Sequence, residues 1–194
     1  MQDNKSINVG SITAKIVSNI FHPLLMATYN VLLLFTYTNF GMFFRGQEFR
    51  VLLPVLIFTF VIPMAFVVIL RQLKIVNDYD LSDKRDRLFP FFIALLANCS
   101  LFYFFYSANL QLWFLSLLAS SIVLIFLTLI ISLFWKISVH LVAIGGVLGC
   151  TLAISYYIYK TNPFILFCAL IIFAGILGVA RLYLKKNTPA QIYV

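Results

Sequence analysis

The sequence predicts an all-α fold, a polytopic membrane bundle of about six transmembrane helices. Of its 194 residues 63% are hydrophobic and only 10% charged, against roughly 25% charged in an ordinary soluble domain. The apolar residues gather into six long runs, and the charged ones fall in the short gaps between them. No aqueous globule could hide that much apolar surface.

Crossing the hydrocarbon core takes about 20 predominantly apolar residues in a helix. The first run, 17–44, is too long and too aromatic for a secretory leader and no small-residue cleavage site follows it, so it reads as a retained helix behind a short N-terminal tail, 1–16. The second, third and fourth, 51–70, 89–107 and 110–134, are apolar on every face. Barrel strands would alternate apolar and polar at period two, and these do not. The fifth, 137–159, carries Gly145, Gly146 and Gly149, and the sixth, 163–184, carries Ala174, Gly175 and Gly178. Both read as small-residue faces that let helices approach closely. Cys99, Cys150 and Cys168 lie inside apolar runs with no Cys or His at metal-ligand spacing, which predicts packing residues and neither a disulfide framework nor a zinc site. There is no repeat and no long linker, so 17–194 is expected to form a single membrane domain.

Six spans put the N-terminus, the second and fourth loops and the C-terminal tail on one side, with 11 of the 14 basic residues. Arg45, Arg50 and Lys160 fall on the other. The positive-inside rule predicts a multi-pass cell-membrane protein with the first side cytoplasmic. The net charge of +8 then serves topology and anionic headgroups rather than nucleic acid, because the cations are scattered among loops and form no stripe. A transporter would call for repeat symmetry or paired broken helices, and neither is evident.

Three polar clusters exceed what topology requires, and all fall on the first side. One is the loop of residues 77–87 with Asp78, Asp80, Asp83, Lys84, Arg85, Asp86 and Arg87, followed by Pro90. Another is Lys136, Ser138 and His140 at the mouth of the fifth helix, and the last runs from Arg181 through Asn187 to Gln191. Arginine and lysine suit phosphate oxygens, a hydroxyl near a helix start sits where backbone N–H groups favour anions, and histidine exchanges a proton near neutral pH. Together they describe an anion site for a phosphorylated lipid.

These residues resemble the type 2 phosphatidic acid phosphatase superfamily, with its signatures Lys-x6-Arg-Pro, Pro-Ser-Gly-His and Ser-Arg-x5-His-x3-Asp. Ser138 and His140 keep two positions of the second. Arg181, Asn187 and Gln191 keep the spacing of the third, while Lys84, Arg87 and Pro90 match the first at altered intervals. The stretches around Ser138 and Arg181 look like a small bacterial membrane subgroup, and the resemblance runs from Lys84 to the C-terminal end. It implies phosphate binding by Lys84, Arg87, Ser138 and Arg181, with His140 as general acid. No metal or cofactor is implied, and the partner is a membrane lipid of the phosphatidic acid or polyprenyl phosphate class.

Asn187 occupies the place of the family's nucleophilic histidine and Gln191 that of the carboxylate orienting it. A carboxamide cannot usefully attack phosphorus, so the readings are a phosphatase with a rearranged nucleophile or an inactive relative that still binds phospholipid. A metal-dependent prenyl or phosphatidyl transferase using Asp78, Asp80, Asp83 and Asp86 is the third. Its prenyltransferase motif would need aspartate at position 81, where the chain has Leu81.

Overall fold

A computed structural model describes residues 9–74, 84–160 and 162–193, without the side chains of residues 84–87 and 193. Six helical segments are long and apolar enough to span a membrane: Val9–Tyr37, Phe49–Gln72, Leu88–Ser107, Leu112–Phe134, Val139–Tyr159 and Phe164–Tyr183. No strand occurs among the described residues. The protein is therefore a multi-pass helical bundle of the kind its composition predicts.

The first span differs from expectation at both ends and in the middle. Helix α1 (Val9–Ile20) begins inside the segment expected to be a tail, and α2 (Met26–Tyr37) continues after a break. Pro23 causes the break, because its ring disfavours helical backbone at the preceding residue. His22 accordingly adopts φ −65° and ψ 133° and leads into a single 3-10 turn, Pro23–Leu25. The Tyr29 hydroxyl donates to the Ile20 carbonyl at 3.0 Å, satisfying one of the acceptors that the end of α1 leaves open.

After the short α3 (Phe40–Phe43), the second span is built from α4 (Phe49–Leu56), a π-helical turn (Ile57–Val61) and α5 (Ile62–Gln72). Pro63 lacks the N–H that would bond the carbonyl one turn back, and the widened turn sits just ahead of it. The third and fourth spans lie within α6 (Lys84–Ser107) and α7 (Leu112–Phe134). The fifth is α8 (Val139–Ala153) with a π-helical end (Ile154–Tyr159), the sixth is α9 (Phe164–Tyr183), and α10 (Pro189–Tyr193) closes the described chain.

Packing follows a ring. The first span lies against the second through α2 and α4, the second against the third through α5 and α6, the third along the fourth, and the fourth against the fifth. The ring closes where α8 meets α2. The sixth span stands outside it, bracing α1 and α8. One end of the ring is filled by buried Phe40, Phe105, Phe114, Leu101, Val51 and Val55.

Of the glycines expected at helix contacts, Gly146 has the tightest one. A Cβ there would lie 2.7 Å from Leu124 Cδ2. Gly178 has ordinary room, whereas Gly145, Gly149 and Gly175 have nothing within 4 Å of an added Cβ. Their small size is not used for helix approach within this chain. The three cysteines are free; Cys150 and Cys168 are half-buried and Cys99 is exposed, so it does not serve packing within the chain.

Ser132 is fully buried in α7, and its hydroxyl has no hydrogen-bond partner among the described residues. A desolvated, unsatisfied hydroxyl costs stability. Ser132→Ala should therefore raise stability by about 1 kcal/mol, read as a higher melting temperature of the purified protein. A lowered one would mean that the hydroxyl is bonded.

Candidate functional site

The last turn of α9 carries Arg181, and the chain then doubles back beneath it. Lys185 adopts a left-handed φ of 53°, its N–H bonding the Leu182 carbonyl at 2.9 Å and the Lys186 N–H that of Arg181 at 3.2 Å. This pair of bonds is the Schellman ending of a helix, here with lysine at the position glycine usually fills. Its effect is to return Asn187 to the Arg181 side chain. Arg181 Nε donates to Asn187 Oδ1 at 3.1 Å.

Both residues are deeply buried, Arg181 at 4% exposure and Asn187 at 7%. A further partner of the guanidinium comes from α1, where Ser18 Oγ accepts from Arg181 Nη1 at 3.0 Å. The same hydroxyl stands 3.3 Å from His140 Nε2, on the first turn of α8. Serine offers one donor and two acceptor lone pairs, so with Nε2 unprotonated Ser18 accepts from the arginine and donates to the imidazole. With Nε2 protonated, Ser18 accepts from both. One buried serine thus ties a membrane arginine to a membrane histidine.

A second imidazole completes the cluster. His22, displaced from the helix axis by Pro23, places its ring centroid 5.9 Å from that of His140, edge to face at 73°. Its Nδ1 accepts from the Leu24 N–H at 3.4 Å. His22, His140, Arg181 and Asn187 all line a cavity of about 550 Å³ inside the helix ring. Arg181 also fixes the orientation of the Asn187 amide, because only Oδ1 can accept from Nε, which leaves Nδ2 as a donor. That Nδ2 is buried without a hydrogen-bond partner among the described residues.

Ser138 and Gln191 are brought close to this cluster as well. Ser138 precedes α8; its N–H donates to the Gln191 carbonyl at 3.1 Å, while its own Oγ is buried and has no hydrogen-bond partner among the described residues. Gln191 Oε1 accepts from the Thr188 N–H at 3.1 Å, so its carboxamide closes the first turn of α10. Gln191 thereby pins α10 over the mouth of α8. Lys84 and Arg87 begin α6, and their side chains lie outside the described residues, as do residues 75–83 with Asp78, Asp80 and Asp83 and the side chain of Asp86. Pro90 is buried on the cavity wall. Among the described residues no three His, Cys, Asp or Glu side chains converge as a metal site would require.

Ser18 and His22 were missed by sequence reasoning, which took their segment as plain apolar span. The signal was there: an ionisable residue followed by proline within an apolar run is a default functional candidate. Removing the bridge tests its structural weight. Ser18→Ala should cost about 1–3 kcal/mol, because it removes the buried hydroxyl that Arg181 and His140 share; an unchanged melting temperature would show that the hydroxyl does not hold them.

No family model, curated protein or solved structure matches the chain.

Proposed function

We propose that this is an integral membrane protein that binds the phosphate headgroup of a membrane lipid and, with Asn187 where the phosphatases it resembles use histidine, does not turn it over. The observation that carries this reading is the buried Asn187 Nδ2 donor, without a partner among the described residues, held beside the Arg181 guanidinium on the wall of the cavity. Guanidinium and amide donors set side by side suit an anionic oxygen. Two imidazoles on the same wall add donors when protonated. The ligand class is phosphatidic acid or a polyprenyl phosphate, by resemblance to the type 2 phosphatidic acid phosphatases. Charge bias favours the cytoplasmic face for the site, and the resemblance favours a bacterial cell membrane.

A second reading, hydrolysis, is favoured by the His22–His140 pair, since one imidazole could attack phosphorus while the other protonates the leaving oxygen. Phosphate release in EDTA from phosphatidic acid and from undecaprenyl diphosphate separates the two. Binding alone predicts no release above background and a raised melting temperature with either lipid, because a ligand of the folded state stabilises it. Release that disappears in both His22→Ala and His140→Ala would make the protein an enzyme. Absence of any lipid-dependent stabilisation would remove the binding reading.

A further inference from the structure

The cavity continues far beyond the polar cluster. On α8 its wall runs from His140 to Ala153, about 20 Å at 1.5 Å per residue, which is more than half of the roughly 30 Å hydrocarbon core. It is surrounded by the first five spans and ends against Phe114. Behind Phe114 the rings of Phe40 and Phe105 are packed at 5.4 and 5.5 Å. Its volume, about 550 Å³, lies within the roughly 300–1,000 Å³ typical of ligand sites.

The two ends of this space differ in chemistry. At the Arg181 end a buried donor lacks a partner among the described residues. Along the rest of the wall most polar side chains bond carbonyls of their own helices: Thr59 on Val55 at 2.8 Å, Asn98 on Ala94 at 2.8 Å, Ser116 on Trp113 at 2.6 Å and Thr128 on Leu124 at 2.7 Å, whereas Asn30 meets the Cys150 thiol instead. Ser120 and Ser121 bond back to Leu117 and Leu118, each at 2.7 Å. Between them stand Met26, Val31, Leu34, Val55 and Val67. Such a wall asks little that is polar of its occupant.

From this contrast we infer that one hydrocarbon chain of the phosphate-bearing lipid lies inside the bundle, along this cavity, instead of among the bilayer chains. The inference rests on the headgroup site proposed above and deepens it: lipid phosphates whose hydrocarbon chain can run past Gly149, which lines the space. The open position at Gly149 is then room for the chain rather than for a neighbouring helix.

Hexadecyl phosphate carrying a diazirine on its terminal carbon tests this with the full-length protein in nanodiscs, the labelled residues being mapped by peptide mass spectrometry. Labels are expected on Phe114, Leu117 or Ala153. Gly149→Phe, which fills space where an added Cβ meets nothing within 4 Å, should lower that interior labelling by about tenfold, near the low end of what overfilling a packed site costs. Labels confined to outward-facing residues such as Ile165 and Phe126 would overturn the inference, and the parent protein alone suffices for that result. The phosphate-free hexadecanol analogue and Arg181→Gln separate the two claims. Interior labelling equally strong with the alcohol and indifferent to Arg181 would keep the chain site and remove the headgroup site. Arg181-dependent retention of the phosphate with only outward labels would do the reverse.

Discussion

Arg181→Gln is expected to weaken binding of a lipid phosphate by about 10- to 100-fold, the equivalent of roughly 1.5–3 kcal/mol for lost charge-assisted hydrogen bonds. Glutamine retains a donor of shorter reach, so the bonds to Ser18 and Asn187 suffer along with the ligand. Arg181→Lys should fall between the two, because an ammonium keeps the charge but not the planar fork that meets two acceptors at once. Titration of both variants with a short-chain lipid phosphate checks the order. Equal affinities across parent, lysine and glutamine would mean that the guanidinium does not touch the headgroup.

Asn187→His is the other substitution with a large expected effect, since it should create metal-independent phosphate release where the parent has none. Asn187 already sits against Arg181 and faces the cavity shared with His140, so the introduced imidazole arrives among groups suited to bind phosphate and to protonate a leaving oxygen. The expected gain is modest, roughly 100-fold over background, a small part of the ~10⁶ that loss of a nucleophile costs a concerted site. Gln191 limits it. Its Oε1 is engaged by the Thr188 N–H, so nothing equivalent to a carboxylate fixes the ring's tautomer. Adding Gln191→Asp should raise release further. A single variant that binds lipid phosphate as the parent does yet stays silent would show that more than the nucleophile is missing.

The spans were legible because length and all-round apolarity suffice to define a membrane helix, and each of the six runs overlaps an observed span. What they could not reveal was the break at His22, since Pro23 is a single residue in an otherwise continuous apolar run. Nor did apolarity mark the start of α1, whose polar Ser11, Thr13 and Lys15 read as tail. Arg181, Ser138 and His140 were legible as a set by shared side and family-like spacing. The five residues between Arg181 and Asn187 acquire a physical cause only in the structure, as the length of a Schellman turn that folds the amide onto the guanidinium. Ser18 joins them from the far end of the chain, a pairing no local pattern encodes. Glycine positions misled for a related reason: a small residue permits close approach, but Gly149 faces a cavity and not a helix.

The central claim, that the Arg181 cluster holds a lipid phosphate, is tested most directly by native mass spectrometry of the purified protein. It should be released from nanodiscs containing phosphatidic acid and diacylglycerol in equal amounts, beside its Arg181→Gln variant. The parent is expected to retain phosphatidic acid in preference to diacylglycerol, and the variant to lose that preference. Equal retention of both lipids by the parent, or a preference that survives in Arg181→Gln, would contradict it.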